Sequence, residues 1–189
     1  REESMRRRIG ERRYDMERRP LLDDSTGEAW GPGARYQIDA TIVDVYVRSR
    51  RNRRRLIGRP TLYVIIDVFS RMIVGFSLSF DPPSWQAAMT ALANAVTDKV
   101  AFCAKFGISI TEDDWPCHHI PAILEGDRGE IEGSGITGVL KRFQIAVENA
   151  AAFRADWKGI VEQRFNLLQA EWGSYVDGYV AKDFGERGA

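Results

Sequence analysis

The apolar positions in the first half of the chain follow the pattern of β-strands. Segments 36–47, 61–68 and 72–80 are rich in valine, isoleucine and aromatic residues, which favour the pleated backbone of a sheet. The segment 48–59 separates the first two, and a short turn at 67–71 separates the second pair. The pattern therefore predicts three consecutive antiparallel strands.

Helical periodicity begins after the third strand. Ser84 is a favourable N-cap ahead of an amphipathic segment, and Gly107 offers a left-handed C-cap after it. One long helix is therefore predicted over 84–106. The remaining chain predicts an irregular stretch at 108–120, a strand at 121–126, a short helix near 136–142, a strand at 143–147 and a helix at about 155–173.

This order of elements, βββαβαβα, is that of the ribonuclease-H-like fold, an α/β fold whose mixed five-stranded sheet carries helices on both faces. A chain of 189 residues with 44% hydrophobic content can bury the core of one such domain. We expect residues 30–189 to form it, starting at the turn signal Gly31-Pro32-Gly33. Residues 1–29 are polar, basic and poorly periodic, which indicates an N-terminal linker or arm.

Composition narrows the class of protein. Two cysteines and two histidines exclude a disulfide-stapled scaffold and indicate a reducing compartment. The chain has no run of about 18 apolar residues and no secretory signal, so we expect a soluble intracellular protein. It starts without methionine and stops soon after the last predicted helix, which suggests a piece of a longer protein.

The zero net charge hides a strong local asymmetry. Residues 48–59 contain seven arginines and no acid, whereas residues 1–19 contain eight arginines and five acids. Like charges at this density repel unless an anion joins them, and arginine forks match the oxygens of DNA phosphate. A disordered surface loop is the alternative interpretation. The candidate DNA contacts in this segment are Arg48, Arg50, Arg51, Arg53, Arg54 and Arg55.

Three carboxylates are candidate metal ligands: Asp39, Asp127 and Glu162. Asp39 lies in the first predicted strand beside apolar positions, where an isolated charge would be costly. Asp127 follows a short apolar run, at a strand end of the kind where ligands gather in α/β sheets, and Glu162 lies on the polar face of the last helix. Two divalent cations roughly 3.5–4 Å apart need several hard oxygen ligands from separate elements. Spacing alone does not establish the site, because most acids are solvated surface charges.

The sequence around these acids resembles a known family. The segment RADWKGIVEQRF at 154–165 is similar to the sequence around the third catalytic acid of the TnsB subfamily, and IDVFSRMIVG at 66–75 resembles the second and third strands of that core. Over about 30–189 the chain therefore resembles the catalytic core of the D,D,E transposases and retroviral integrases, most closely the TnsB subfamily of bacterial transposases.

The resemblance implies an enzyme, a DDE transposase that acts as a polynucleotidyl transferase. Asp39, Asp127 and Glu162 would hold two Mg²⁺ ions, for which Mn²⁺ would substitute, and the ions would activate the attacking oxygen and stabilise the leaving 3′ oxygen. The reactions would be 3′-end cleavage at transposon ends and joining of those ends to target DNA. The alternatives are a ribonuclease-H-like nuclease without strand transfer and a non-catalytic DNA-binding module that retains the fold.

The resemblance also implies partners and a location. The partners would be transposon-end and target DNA, other copies of the protein on DNA, and, through regions outside this chain, an AAA+ ATPase regulator and a partner endonuclease. We expect a bacterial cytoplasmic protein, associated with the nucleoid when on DNA and without membrane contact. Further DNA contacts would come from Asn149 and Arg154, where integrase relatives have a mobile loop, and from Lys158, one helical turn before Glu162.

The remaining candidates are interpreted as supporting or structural. Asp44 would point to the opposite face of the strand that carries Asp39, and Asp67 would accept backbone hydrogen bonds in the turn near Ser70. Glu130 and Asp156 could support the metal ligands from outside. The usual spacing of a zinc site is not met by Cys103, Cys117, His118 and His119.

Overall fold

The computed structural model of the chain describes residues 29–126, 138, 140–149, 161, 163–168, 171 and 175–179. The strands are β1 (Arg35–Ile42), β2 (Val47–Arg48), β3 (Leu56–Gly58), β4 (Thr61–Asp67), β5 (Ile73–Ser79), β6 (Ile123–Gly126) and β7 (Ala146–Asn149). Between β5 and β6 lie the helices α1 (Trp85–Ala95) and α2 (Lys99–Ala104) and a 3-10 turn, Glu112–Asp114. Residues 140–142 and 163–168 are also helical.

Five strands form one mixed sheet in the order β5-β4-β1-β6-β7. β1 pairs antiparallel with β4, and β4 pairs antiparallel with β5. On its other side β1 pairs parallel with β6, and β6 pairs parallel with β7. The sheet thus has three antiparallel strands that follow one another in sequence, and the first of them also pairs with the two parallel strands. This is the sheet of the ribonuclease-H-like fold, so the predicted fold class is confirmed.

Both faces of the sheet are covered. One apolar cluster joins alternate residues of β1 and β4 to the alanine-rich face of α1 and to Leu140. The opposite face presents Val64 and Ile66 of β4, which pack with Val161 and Phe165. Alternation along β4 explains the division, because successive side chains of a strand point to opposite faces. Helical residues therefore lie on both sides of the sheet, as predicted.

The edge strand β5 is held closely against α1. Gly75 lies so near the end of α1 that an added Cβ would sit 2.7 Å from the Cα of Ala95. The amide of Phe76 donates to the side-chain oxygen of Asn94 (3.1 Å), and the indole N–H of Trp115 donates to the carbonyl of Ile73 (2.6 Å). These contacts occupy backbone groups that an edge strand would otherwise expose.

The prediction of one long helix over 84–106 is wrong, because the helix is interrupted after Ala95. Asp98 caps a new helix by accepting from the amide of Ala101 (2.6 Å). The buried ammonium group of Lys99 donates to the carbonyls of Asn94, Ala95 and Thr97 at 2.7–3.0 Å. These hydrogen bonds pair backbone carbonyl groups that the end of α1 would otherwise leave without a donor. Burial lowers the pKa of Lys99. Apolar positions continue with helical spacing across this break, which concealed it in the sequence.

Three predicted strands differ from those observed, and one of them, predicted at 121–126, begins at Ile123. The segment 36–47 is not one strand: β1 ends at Ile42, and the amide of Val43 then donates to the carbonyl of Pro60 (2.9 Å). The strand predicted at 143–147 begins later, at Ala146, because the preceding helical turn closes through Gln144 in the left-handed region (φ +59°). Residues 1–28 of the predicted arm lie outside the described residues. Within the described part of the chain, no helix is long and apolar enough to cross a membrane.

Candidate active site at the ends of the parallel strands

Asp39 lies in the second half of β1, on the sheet face covered by Val161 and Phe165. It stands opposite Val64 in the antiparallel register with β4, and its side chain is half-buried. Asp39 therefore borders an apolar surface on one side, as its sequence context predicts.

The parallel strands β6 and β7 lie on the other side of β1 from β4. Gln37 stands beside Glu125 of β6, Glu125 stands beside Glu148 of β7, and Gly126 stands beside Asn149. Parallel strands end at the same edge of a sheet, so Asp39, Gly126 and the backbone of Asn149 all lie towards one edge. Gly126 is the last residue of β6 and directly precedes Asp127 in the sequence.

Most of the remaining site candidates are not among the described residues. Asp127, Glu130, Arg154, Asp156, Lys158 and Glu162 lie outside the described residues, as does the side chain of Asn149. Val161, the neighbour of Glu162 in sequence, is 2% exposed and packs against the sheet face that carries Asp39. The described residues contain no group of three or more His, Cys, Asp or Glu side chains that could hold a metal ion. The triad therefore remains a prediction.

A charged network lies directly behind this edge, buried at Arg35 and Glu125 and exposed at Glu148, and sequence reasoning missed it. Arg35 donates through Nη1 to Glu148 (2.7 Å) and to Glu125 (3.4 Å). Gln37 donates to the same Glu125 oxygen (3.2 Å). Glu125 is 3% exposed, and burial raises its pKa against the opposing effects of Gln37 and Arg35. Only Glu125 carried a local signal, because it interrupts the apolar run that begins at residue 121, where an isolated charge would be costly; nothing local indicated its partners.

Asp67 has the structural role predicted for it. One of its oxygens accepts from the amide (2.8 Å) and hydroxyl (2.5 Å) of Ser70, and the other accepts from the amide of Gly33 (3.1 Å). The residue is 2% exposed at the end of β4. Burial, followed by the charge of Asp67, raises the pKa of neighbouring Tyr36 to about 12. Asp67 thereby fixes the β4–β5 turn to the chain that enters β1.

Asp44 does not lie on the opposite face of the strand that carries Asp39, because it follows the end of β1. It forms a salt bridge with Arg59, whose Nε also donates to the carbonyl of Val43 (3.0 Å). One of the seven arginines at 48–59 is therefore engaged in an internal ion pair. The prediction that Asp44 has a structural role is compatible with this pair, although its predicted orientation is wrong.

The segment 48–59 forms a hairpin rather than an open loop. β2 and β3 pair antiparallel with a register shift between Val47 and Arg48. At the tip, Ser49 Oγ accepts from the amides of Arg51 and Asn52 (3.3 and 3.4 Å), and Asn52 accepts from the amide of Arg54 (3.0 Å). The hairpin is exposed along its arginine side chains, which are Arg48, Arg50, Arg51, Arg53, Arg54 and Arg55. We call residues 47–58 the arginine hairpin.

Cysteine and histidine side chains form no group of three or more potential metal ligands within the described residues. Cys103 and Cys117 are buried and unbridged, and burial raises the pKa of Cys117. His118 and His119 are exposed, with ring centroids 4.4 Å apart in an edge-to-face contact.

Comparison with known proteins identifies the family. The sequence profile of the TnsB C-terminal domain matches residues 37–178. The chain is 48% identical over 167 residues to the Tn7 transposition protein TnsB of Escherichia coli, covering 88% of this chain and 24% of that protein. It is 30% identical over 102 residues to the Tn552 transposase of Staphylococcus aureus, covering 54% of this chain and 18% of that protein.

Solved structures of two viral proteins resemble this chain. The HTLV-2 integrase catalytic core domain in complex with magnesium aligns with a TM-score of 0.49 and 14% identity, covering 78% of this chain and 74% of that chain. A simian T-cell lymphotropic virus intasome chain gives a TM-score of 0.49 at 15% identity, covering 76% and 41%. The chain thus spans about a quarter or less of the curated relatives it matches. By the match over 37–178, the chain belongs to the TnsB C-terminal domain family.

Proposed function

We propose that this chain is the catalytic core of a DNA transposase, which cleaves 3′ ends of a transposon and joins them to target DNA. The observation that carries the proposal is the position of Asp39 at the edge where β6 ends one residue before Asp127. Adjacent strands are about 4.8 Å apart, so a carboxylate on the residue that follows Gly126 would be within reach of an ion shared with Asp39. Similarity of the chain to the Tn7 transposition protein TnsB and to the Tn552 transposase supports the same reaction class.

The donor chemistry of this edge fits magnesium. Asp39 offers a half-buried carboxylate beside apolar residues, and hard oxygen ligands are what Mg²⁺ and Mn²⁺ prefer. In the proposal, Asp39, Asp127 and Glu162 hold two ions, which when bound would activate the attacking oxygen and stabilise the leaving 3′ oxygen. Arg35 and Glu125 link β1 to β6 behind this position.

The triad is tested by Asp39→Ala, Asp127→Ala and Glu162→Gln in the full-length protein. Each should abolish end cleavage and strand joining, because one lost ligand misplaces an ion on which both steps depend. DNA binding should survive, as measured by fluorescence anisotropy. Asp113→Ala is the matched control, since this acid is exposed in the 3-10 turn. Joining above a few per cent of wild type in any triad variant would reject the assignment.

The same assay distinguishes the transposase from the two alternative functions, a nuclease without strand transfer and a non-catalytic DNA-binding module. A nuclease without strand transfer would cut the transposon end but form no joined product with a target duplex. A non-catalytic module would bind DNA and do neither, with or without Mg²⁺. A wild-type protein that does both, with both activities lost in the triad variants, would support the transposase.

We propose that the arginine hairpin binds the DNA backbone near the active site. Six exposed arginines and no acid lie along 48–55, and hydrogen bonds within the tip hold part of the backbone in place. An ordered positive surface loses less entropy on binding than a disordered loop. The hairpin starts five residues after the end of β1, the strand that carries Asp39.

Replacing Arg51, Arg53, Arg54 and Arg55 by alanine should weaken DNA binding with little dependence on sequence. Binding titrations at several salt concentrations should give a shallower slope of log K against log salt, by up to about 0.9 per lost phosphate contact. Lys105→Ala is the control, because this lysine is exposed at the end of α2 and away from the hairpin in sequence. An unchanged slope would reject DNA as the ligand of the hairpin.

The proposed partners extend beyond this chain. They are transposon-end and target DNA, further copies of the protein assembled on that DNA, and an AAA+ ATPase regulator and partner endonuclease bound through other regions. The additional DNA contacts proposed within the chain are Asn149, Arg154 and Lys158. A bacterial cytoplasmic protein that associates with the nucleoid on DNA would meet these partners.

A further inference from the structure

The segment 175–179 closes onto the short connection between β1 and β2. Val45 forms an isolated antiparallel bridge with Tyr179, and the amide of Tyr46 donates to the carbonyl of Gly178 (2.9 Å). The amide of Tyr179 donates to the carbonyl of Val176 (3.3 Å), which closes a turn in the segment. Val45 is buried in this contact region. We call residues 175–179 the clasp.

The clasp depends on a glycine. Gly178 has φ +93°, a backbone conformation that residues with a side chain rarely adopt. A Cβ on Gly178 would also lie 2.7 Å from the carbonyl oxygen of Tyr46, a backbone atom that cannot move aside alone. Any other residue at this position would therefore both strain the turn and separate the clasp from Tyr46.

The arginine hairpin has few other contacts that fix its base. β2 has two residues and β3 has three, with an irregular register between them. A two-stranded ribbon of this size is marginally stable by itself in water. The remaining described contacts at the base are the Val43 amide with the Pro60 carbonyl, the Arg59 Nε with the Val43 carbonyl, and the ion pair of Arg59 with Asp44. The clasp contacts Val45 and Tyr46, the two residues immediately before β2.

We propose that the clasp sets the orientation of the arginine hairpin relative to the sheet edge that carries Asp39, and that Gly178 is a positioning residue for DNA binding. The inference rests on the proposed DNA-binding function of the hairpin. It adds that a segment more than 115 residues downstream in sequence controls that surface. Without the clasp, the arginines would keep their charge but lose their common direction, so fewer would reach the same DNA backbone.

The experiment compares Gly178→Ala with Gly107→Ala in the full-length protein. Gly107 is also left-handed (φ +73°) but has open space around its Cβ, and it lies after α2. Gly178→Asn is a second variant, because asparagine adopts left-handed conformations with less strain than alanine does, while still adding a Cβ. Amide hydrogen exchange should become faster in residues 45–58 of both Gly178 variants and remain unchanged there in Gly107→Ala.

DNA affinity then tests the functional part. Gly178→Ala should weaken binding and make the salt slope shallower in the same direction as the four-arginine variant. Combining the two should weaken binding by less than the product of the separate fold-changes, because both act through one surface. Independent, multiplicative losses would overturn the proposal.

The outcomes distinguish this inference from the function on which it rests. Unchanged exchange at 45–58 in the Gly178 variants, with arginine-dependent DNA binding intact, would overturn the clasp alone. Faster exchange with unchanged DNA affinity would also overturn it, since the hairpin would then bind without being positioned. If the four-arginine variant binds DNA as well as wild type does, the DNA-binding function fails and the positioning role fails with it.

Discussion

The two halves of the central sheet differ in what they bury on the same face. Along one row, Ile66 of β4 stands next to Gln37 of β1, which stands next to Glu125 and then Glu148. The antiparallel half is therefore apolar, whereas the parallel half is charged. The row changes from apolar to polar and charged side chains at β1, the strand that carries Asp39. Along this row the buried charge lies in the parallel half, beside the edge proposed to bind metal, whereas the buried acid of the antiparallel half, Asp67, lies at the end of β4.

The difference indicates that the two halves contribute differently to stability. Burying an aliphatic side chain such as Ile65 or Ile66 stabilises a fold by about 1.5–3 kcal/mol, and both are fully buried. A buried ion pair contributes little net free energy, because desolvation offsets most of its Coulomb attraction. We therefore expect the antiparallel half to supply most of the stability. The charged half holds strand ends in register behind the proposed site, where its disruption is costly.

The largest effect on folding is expected from Arg35→Leu. It leaves Glu125 and Glu148 without their shared cation, and breaking one partner of a buried pair costs about 3–5 kcal/mol. Ile65→Val in the apolar half should cost only about 0.5–1.5 kcal/mol. Urea unfolding at neutral pH measures both. Arg35→Lys keeps the charge without the arginine fork and should fall between them.

The pH dependence sharpens this comparison. Burial already raises the pKa of Glu125, and loss of Arg35 should raise it further. A carboxyl group whose pKa is higher in the folded than in the unfolded chain binds more protons when folded, so stability falls as pH rises above the unfolded value. The difference between Arg35→Leu and wild type should therefore be larger at neutral pH than in mild acid. A difference of the same size or smaller at neutral pH would contradict the charged character of this half.

The antiparallel half was predictable because its signals are local. Alternating apolar residues and a short turn indicated β4 and β5 within one residue at each end, and the turn residues Asp67 and Ser70 indicated their own hydrogen bonds. The parallel half joins residues distant in sequence, such as Arg35 with Glu148, so no local pattern revealed the network. The break between α1 and α2 was missed because Lys99 satisfies the carbonyls at the end of α1 from a position that itself looks helical.

An intermediate effect is expected from Asp67→Asn, the buried acid of the apolar half. The substitution replaces one carboxylate oxygen, facing either Ser70 or Gly33, by an amide group that donates. One buried group then loses its acceptor, which costs about 1–3 kcal/mol. Because Asp67 accepts hydrogen bonds within the turn rather than facing the proposed metal edge, Mg²⁺-dependent joining per folded molecule should be retained. Complete loss of activity in a fully folded Asp67→Asn protein would mean that Asp67 belongs to the active site.

The smallest effect is expected from Asp44→Asn, just beyond the end of β1. Its salt bridge with Arg59 is partly exposed, with 18% and 32% of the side chains accessible, and such pairs contribute about 0.2–1 kcal/mol. Asparagine also keeps an oxygen that can accept from Arg59. Urea unfolding should therefore show a loss within that range, and joining activity normalised to the folded fraction should match wild type. Asp113→Asn, at an exposed acid outside the sheet, is the control. A folded Asp44→Asn protein without activity would mean that the active site extends past the end of β1 towards the arginine hairpin.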